Sequence, residues 1–270
     1  MELRARRASE QVIEALADFR VVVINGPRQS AKSTLAGRLM LEGITADSVT
    51  LDDRESLRGA RTDPRGFIEG RGRPFVIDEI QRGGEALVLA VKSAVDRDQR
   101  PGSFVLTGSS RFLTVPTLSE SLSGRARIID LWPFSQGELR GTRDQFLDRL
   151  VAGDEPGDMA WSPISRREAA VMVLAGGFPA VHSMSSDRSR RQWLSDYART
   201  LVTRDLTDLS RIHRTADLPG LLETFVVAEL MKQASWSDTP LRLAHYRDSE
   251  QPSHVPRRSP DGSALSMLWE

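Results

Sequence analysis

The chain has 270 residues, no cysteine and a formal net charge of zero at pH 7. The lack of cysteine excludes disulfides, thiolate metal sites and cysteine nucleophiles, and it fits a cytoplasmic protein. A balanced charge excludes a global field that would recruit nucleic acid or an anionic membrane. No apolar run approaches the length of about 18 residues that a transmembrane helix needs, so we expect no membrane partner.

The N-terminal half alternates predicted strands with predicted helices. A helix over 9–18 precedes a continuously apolar strand over 20–25, which is typical of a parallel strand buried on both faces. After a second helix, further strands with helical stretches between them are predicted over 48–51, 74–77, 103–106 and 126–131. This alternation predicts an α/β fold with a doubly wound parallel sheet, whose ligand lies at the carboxyl ends of the strands.

The loop after the first strand, GPRQSAKS, fits the phosphate-binding pattern G-x-x-x-x-G-K-[ST] except at Ala31. Backbone N–H groups of such a loop and of the helix that follows face the phosphates, and the helix dipole favours their charge. The pattern therefore predicts that the nucleotide is bound by Gly26, Pro27, Arg28, Gln29, Ser30, Ala31, Lys32, Ser33 and Thr34. The alternative is an ordinary strand–turn–helix in which Lys-Ser-Thr occurs by chance.

Two positions of this loop carry specific expectations. The chain contains 37 Lys and Arg residues, of which only Lys32, Lys92 and Lys232 are lysines. A compact ammonium where a phosphate loop requires one predicts that Lys32 contacts the β- and γ-phosphates, and Ser33 is expected to ligate Mg²⁺. Position 31 is ordinarily glycine. If the turn requires a positive φ, Ala31 costs about 1 kcal/mol or somewhat more, which would weaken nucleotide binding or slow turnover.

The third predicted strand ends in two carboxylates, Asp78 and Glu79, in the form of a Walker B motif. We expect Asp78 to hold Mg²⁺, directly or through water, and Glu79 to polarise the attacking water as a catalytic residue. The alternative is a pair of solvated charges at the end of a strand. The spacing from the phosphate loop favours the Walker B interpretation.

The fourth predicted strand ends in Thr107-Gly108-Ser109. In ring-type ATPases the strand beside Walker B ends in a polar residue that senses the γ-phosphate, and Thr107 and Ser109 are the candidates here. A Gly-Ser turn after a buried strand is the alternative. Gly26, Asp78 and Thr107 all fall at carboxyl ends of predicted parallel strands, which is where the ligand is expected.

From residue 132 the pattern changes to helices. Helical stretches over 132–214 predict a helical lid, whose arginine-rich faces are expected to be solvated or paired with aspartates. One more helix is predicted over 220–236 and a strand over 241–246. The segment after residue 247 is rich in proline and serine with few apolar residues, and it therefore predicts disorder.

The motifs in their order resemble a known family: GPRQSAKST, SVTLDD, VIDEIQ, FVLTGSS, SLSGR, LWPFSQGEL, AGGFPA and RQWLSDYARTLVTRDL. The family is that of prokaryotic AAA-superfamily ATPases with a C-terminal domain of unknown function that has a restriction-endonuclease-like fold. The resemblance covers roughly residues 12–212. It implies binding of ATP with Mg²⁺, ATP hydrolysis and a cytoplasmic location. It also implies that Arg125, in SLSGR, is a catalytic arginine finger acting across a subunit contact of a homo-oligomer.

The C-terminal part departs from the family's pattern. A winged-helix-like block is missing near Leu218, and the carboxylate–carboxylate–lysine set of a nuclease-like domain is absent, with Glu223 and Glu229 as its remnants. We interpret this as an internal deletion followed by a frameshift. The predicted domains are a P-loop ATPase core over 1–131, a helical lid over 132–214, a nuclease-like remnant over 215–247 and a disordered tail over 248–270.

Three functions follow from these patterns. The first is an ATP-binding and ATP-hydrolysing AAA-type protein of unknown cellular role. The second is a degenerate, non-catalytic nucleotide-binding remnant, which Ala31 and the altered C-terminal part favour. The third is a DNA-associated ATPase, which the zero net charge and the lost nuclease-like residues disfavour.

Overall fold

A computed structural model of the chain describes residues 4–109, 121–159, 163–205, 218–237, 239, 241, 243–246, 257–258 and 265–268. The chain divides into two compact units, residues 2–134 and residues 135–270. The finer subdivision of the second unit into a lid, a nuclease-like remnant and a tail stays a prediction.

The first unit is built on a five-stranded parallel sheet. Its strands are β1 (Val21–Gly26), β2 (Asp47–Thr50), β3 (Phe75–Asp78), β4 (Phe104–Ser109) and β5 (Ala126–Asp130). They lie in the order β2-β3-β4-β1-β5, and every neighbouring pair is parallel. The carboxyl ends of the strands therefore meet at one edge of the sheet, and Ile24 of β1 lies beside Thr107 of β4.

Helices cover both faces of this sheet. One layer contains α1 (Arg7–Asp18) and α2 (Lys32–Leu41), and the other contains α3 (Arg54–Thr62), α4 (Pro64–Ile68) and α5 (Glu85–Arg97). In β1, Val22 and Ile24 pack in the first layer and Val21 and Val23 in the second, because successive side chains of a strand alternate between its faces. All four are buried. The predicted α/β fold with a doubly wound parallel sheet is confirmed.

The second unit is mainly helical over its described residues. Its helices are α6 (Gln136–Arg140), α7 (Phe146–Ala152), α8 (Arg166–Ala175), α9 (Pro179–Ser183), α10 (Asp187–Asp205) and α11 (Leu218–Trp236). A small core joins α7 to α11 through Leu147 and Leu230. Glu229 of α11 forms a buried ion pair with Lys232. The side chain of Glu223, the other predicted remnant, lies outside the described residues.

The second unit also contains a small sheet, formed by β6 (Leu243–Tyr246), β7 (Arg257–Arg258) and β8 (Leu265–Leu268). β8 pairs in parallel with β6 and antiparallel with β7. The strands β7 and β8 lie in the segment after residue 247, where the composition predicts disorder, and pairing between strands satisfies their backbone groups. Disorder of this segment as a whole stays a prediction. Over the described part of the chain, no helix combines the length and the apolar character that crossing a membrane requires.

Candidate functional site

The loop between β1 and α2 contains the predicted phosphate-binding residues. Gly26 ends β1 where the backbone passes so close to Leu131 that an added Cβ would collide with the Leu131 carbonyl oxygen. The buried Ser30 donates its backbone N–H to the carbonyl oxygen of Pro27 at 3.4 Å. Helix α2 begins at Lys32, so its N-terminal N–H groups lie at the end of the loop, in the arrangement that binds anions.

Lys32 lies inside this loop. Only 5% of the residue is exposed, and its Nζ donates to the carbonyl oxygens of Gly26 at 3.1 Å and Pro27 at 2.9 Å. Burial lowers the pKa of the Lys32 ammonium, and the carboxylates of Glu79 and Asp78 oppose that shift. Within the described structure, two of the three ammonium donors are used by the loop, so the third is left for an anionic ligand.

Ala31 adopts φ 70° and ψ 36°, the left-handed conformation that glycine usually supplies. Gln29, two residues earlier, has a positive φ as well, at 66°. The condition stated for Ala31 is therefore met: the turn does require a positive φ, and alanine costs about 1–2 kcal/mol there. Strain in the folded loop opposes folding, so we expect it to lower the stability of the fold. An effect of Ala31 on nucleotide binding or turnover stays a prediction.

Replacing Ala31 with glycine is expected to stabilise the protein. Relief of about 1–2 kcal/mol of strain exceeds the entropy cost of glycine, about 0.5–1 kcal/mol, so Tm should rise by about 1–4 °C. The matched control is Ala86→Gly at an exposed position of α5, which should lower Tm because a helical alanine carries no such strain. Thermal unfolding followed by circular dichroism measures both. Equal destabilisation in the two variants would contradict strain at Ala31.

Asp78, at the end of β3, accepts hydrogen bonds from three hydroxyl groups. Ser33 Oγ donates to Asp78 Oδ2 at 2.8 Å, and Thr50 Oγ1 donates to the same oxygen at 3.2 Å. Thr107 Oγ1 donates to Asp78 Oδ1. The donors come from α2, β2 and β4, and only 6% of Asp78 is exposed. The carboxylate is therefore fixed where the ends of three neighbouring strands meet the first turn of α2.

Asp78 and Ser33 fit the predicted Mg²⁺ site. A carboxylate and a hydroxyl are hard oxygen ligands, and the two oxygens lie 2.8 Å apart, close enough to share a single ion. Mg²⁺ is commonly held by one or two carboxylates together with phosphate oxygens and water. The chemistry of this pair therefore suits Mg²⁺ that is shared with a nucleotide.

Glu79 follows Asp78 with left-handed backbone angles, φ 56° and ψ 43°. Its backbone N–H donates to Thr107 Oγ1 at 3.2 Å, and its carbonyl oxygen accepts from the N–H of Arg82 at 2.9 Å. Its carboxylate accepts a hydrogen bond from Gln81 Nε2. The two neighbouring carboxylates thus have different surroundings: hydroxyl groups hold that of Asp78, and a side-chain amide contacts that of Glu79. This difference suits a metal ligand and a proton acceptor, respectively.

The candidates for sensing the γ-phosphate lie on β4. Thr107 is fully buried, and its hydroxyl contacts Asp78 and the backbone of Glu79, so it supports the Walker B residues directly. Ser109 pairs with Gly26 in the register of β1 and β4, and its side chain lies outside the described residues. A sensing role for either residue stays a prediction.

Arg125 lies apart from the phosphate loop. It precedes β5, at the amino end of that strand, and its Nε forms an ion pair with Asp96 Oδ1 at 2.5 Å. Its role as an arginine finger stays a prediction. Arg28, Gln29 and Thr34 are exposed on the loop and the first turn of α2.

Two residues at the site were missed by the sequence analysis. Thr50 contacts Asp78, and Gln81 contacts Glu79. Thr50 stands in SVTLDD and Gln81 in VIDEIQ. A polar residue at the end of the second strand was the signal for Thr50, but it becomes informative only once β2 is known to lie beside β3.

Comparison with known families identifies the part of the chain that contains this site. Residues 18–140 match the family model of an AAA domain. This part of the chain is therefore similar to an AAA domain. The match spans the five-stranded sheet, the loop at Lys32 and the Asp78-Glu79 pair. The match supports an ATPase-like nucleotide-binding protein.

Two mycobacterial proteins resemble the chain over a longer stretch than the match to the AAA domain. They are the uncharacterized proteins Rv2008c of Mycobacterium tuberculosis and Mb2031c of Mycobacterium bovis. Each is 30% identical over 210 residues, which cover 77% of this chain and 41% of the relative. The chain thus spans about two fifths of the length of the curated relatives it matches.

Several solved structures are also similar. The Walker-type ATPase PABY2304 of Pyrococcus abyssi is 16% identical with a TM-score of 0.43, and the match covers 84% of this chain and 88% of that one. The RuvB Holliday junction branch migration motor of Thermotoga maritima is 20% identical with a TM-score of 0.39. That match covers 84% of this chain and 72% of the motor.

A second family model matches the C-terminal part. Residues 166–235 match DUF8612, a domain of unknown function. This match crosses residues 214 and 215, where the sequence analysis placed the boundary between a lid and a nuclease-like remnant. It carries no restriction-endonuclease-like description. The match over residues 18–140 therefore supports the AAA part of the resemblance, and the nuclease-like part is not supported.

Proposed function

We propose that the chain binds ATP together with Mg²⁺ and hydrolyses it. The observation that carries this proposal is the 2.8 Å hydrogen bond from Ser33 Oγ to Asp78 Oδ2, which joins the phosphate loop to the Walker B strand. The strands before these residues, β1 and β3, are separated by β4. A chance strand–turn–helix gives no reason for a loop hydroxyl to meet that carboxylate. The buried ammonium of Lys32 supplies the positive charge that a triphosphate needs.

In the proposed reaction each residue has one task. Lys32 and the N–H groups of the first turn of α2 bind phosphate oxygens and offset their charge. Mg²⁺, held by Ser33 and Asp78, would neutralise further charge on the β- and γ-phosphates. Glu79 accepts a proton from the attacking water. The water oxygen forms the new bond to the γ-phosphorus, and the bond from that phosphorus to the bridging oxygen of ADP breaks.

A homo-oligomer is the second part of the proposal, with Arg125 as the arginine finger. Arg125 lies at the amino end of β5, and the phosphate loop follows the carboxyl end of the neighbouring parallel strand β1. The length of the sheet therefore separates Arg125 from its own loop, which favours action on the loop of another subunit. The ion pair with Asp96 holds the guanidinium in one orientation.

Phosphate release by the purified chain tests the proposal. We expect steady ATP turnover with Mg²⁺. When EDTA removes the metal, turnover should fall to background, because Asp78 and Ser33 supply no positive charge in place of the ion. Excess Mg²⁺ should restore the rate. Calorimetric titration with ATP separates binding from hydrolysis. A chain that binds no ATP would refute the proposal.

A nucleotide-binding protein without turnover is the second candidate function. The left-handed Ala31 favours it, because the strained residue directly precedes Lys32 at the start of α2. In that case ATP binds and phosphate release stays at background. The same two assays distinguish this outcome from hydrolysis.

A further inference from the structure

Gln81 contacts the carboxylate of Glu79 from a fixed position on the backbone. Its Nε2 donates to Glu79 Oε2. Both residues belong to the turn that follows β3, where a short 3-10 helix runs from Ile80 to Gly83. This turn is closed by the N–H of Arg82, which donates to the carbonyl oxygen of Glu79 at 2.9 Å. The amide and the carboxylate are therefore held near each other by the local fold.

The other end of the same amide lacks a partner. Among the residues that the structure describes, Gln81 Oε1 is buried and accepts no hydrogen bond. An unsatisfied buried amide oxygen destabilises the folded state. A side chain that only stabilised this turn would be apolar, or both groups of its amide would be paired. The contact with Glu79 is the hydrogen bond that this side chain provides here.

We propose that Gln81 is a positioning residue, whose amide holds the Glu79 carboxylate in the orientation that accepts a proton from the attacking water. This inference rests on the proposed ATP hydrolysis. Thr107 and Arg82 fix the backbone of Glu79, but its side chain is half-buried and has several torsions free to rotate. A hydrogen bond from Gln81 removes that freedom before the substrate binds.

The variant Gln81→Met tests this inference, because it removes both amide groups and keeps the length of the side chain. We expect kcat for ATP hydrolysis to fall about tenfold or more, since a displaced catalytic group can cost about a hundredfold. The Kd for ATP should change less than about twofold, and Tm should hold or rise, because the unsatisfied oxygen is gone. Gln99→Met, at an exposed position before β4, is the matched control and should leave all three unchanged.

A double-mutant cycle shows whether Gln81 acts through Glu79. In single-turnover phosphate release, adding Gln81→Met to Glu79→Gln should change the rate less than about twofold. Four outcomes would overturn the inference and leave the ATPase proposal standing: an unchanged kcat in Gln81→Met, the same loss in both backgrounds, a lowered Tm, or a weakened Kd. A wild-type chain that binds ATP without turnover would overturn the hydrolysis itself, and the inference with it.

Discussion

Replacing Lys32 with alanine is expected to weaken ATP binding about a hundredfold. Only 5% of Lys32 is exposed, so little water screens the attraction between its ammonium and a phosphate oxygen that contacts it. Removing one partner of a buried ion pair costs about 3–5 kcal/mol. Gly26 and Pro27 already use two of the ammonium donors, so we take the lower end, about 3 kcal/mol.

The Lys32→Ala variant should fold without bound nucleotide. Burial lowers the pKa of Lys32, which means that the folded state holds this charge at a cost. Alanine removes that cost together with two hydrogen bonds, so Tm should change little. Calorimetric titration with ATP and Mg²⁺ measures the Kd, and Lys92→Ala on α5 is the matched control that should bind as the wild type does. Undiminished binding by a folded Lys32→Ala variant would refute the assignment of this loop.

The strands and the phosphate loop could be predicted because their signals are local in sequence. Residues 21–24 are buried on both faces of the sheet, and their uninterrupted apolar sequence indicates this burial. Lys32 and Asp78 each follow a buried strand, so their places at the carboxyl edge follow from parallel pairing. The strain at Ala31 could be predicted only on the condition that its φ is positive, because the sequence of the loop does not specify the backbone angles of the turn.

The contacts around the two carboxylates could not be predicted, because they depend on the order of the strands. Thr50 meets Asp78 because β2 lies beside β3 with these two residues in register. Alternating strands and helices are compatible with several strand orders, and each order brings different residues together. Gln81 contacts Glu79 because a 3-10 helix follows β3 and the backbone of Glu79 is left-handed. No periodic pattern in the sequence predicts either feature.

The C-terminal interpretation is not supported, for a different physical reason. The expected disorder after residue 247 rested on composition, whereas β7 and β8 form by pairing with distant backbone. The nuclease-like remnant rested on motifs that the sequence lacks, and a missing motif does not specify what replaces it. Glu229, one of the two supposed remnants, is paired with Lys232 inside the helical unit, so it has a structural partner of its own.

Replacing Glu79 with glutamine is expected to lower kcat for ATP hydrolysis by about 10²- to 10³-fold. Glutamine keeps the length of the side chain and the polar contact surface, but a neutral amide does not accept a proton from water near pH 7. General acid–base catalysis contributes about 10²–10⁴-fold, which sets the expected range. Steady-state phosphate release, with ATP at saturation, measures the loss.

In this variant ATP binding should be kept while ATP turnover is lost, because Lys32 binds phosphate and Glu79 accepts the proton. The Glu79 carboxylate attracts the Lys32 ammonium, so its loss removes a competitor for that charge, and the Kd for ATP should hold or fall. Glu85→Gln, at an exposed position in the first turn of α5, makes the same chemical change in the same domain and should keep wild-type turnover. More than a third of wild-type turnover in Glu79→Gln would mean that another group accepts the proton. Asp78 is a poor substitute, because three hydroxyl groups already occupy its carboxylate, so such a result would require a proton acceptor from outside the pair.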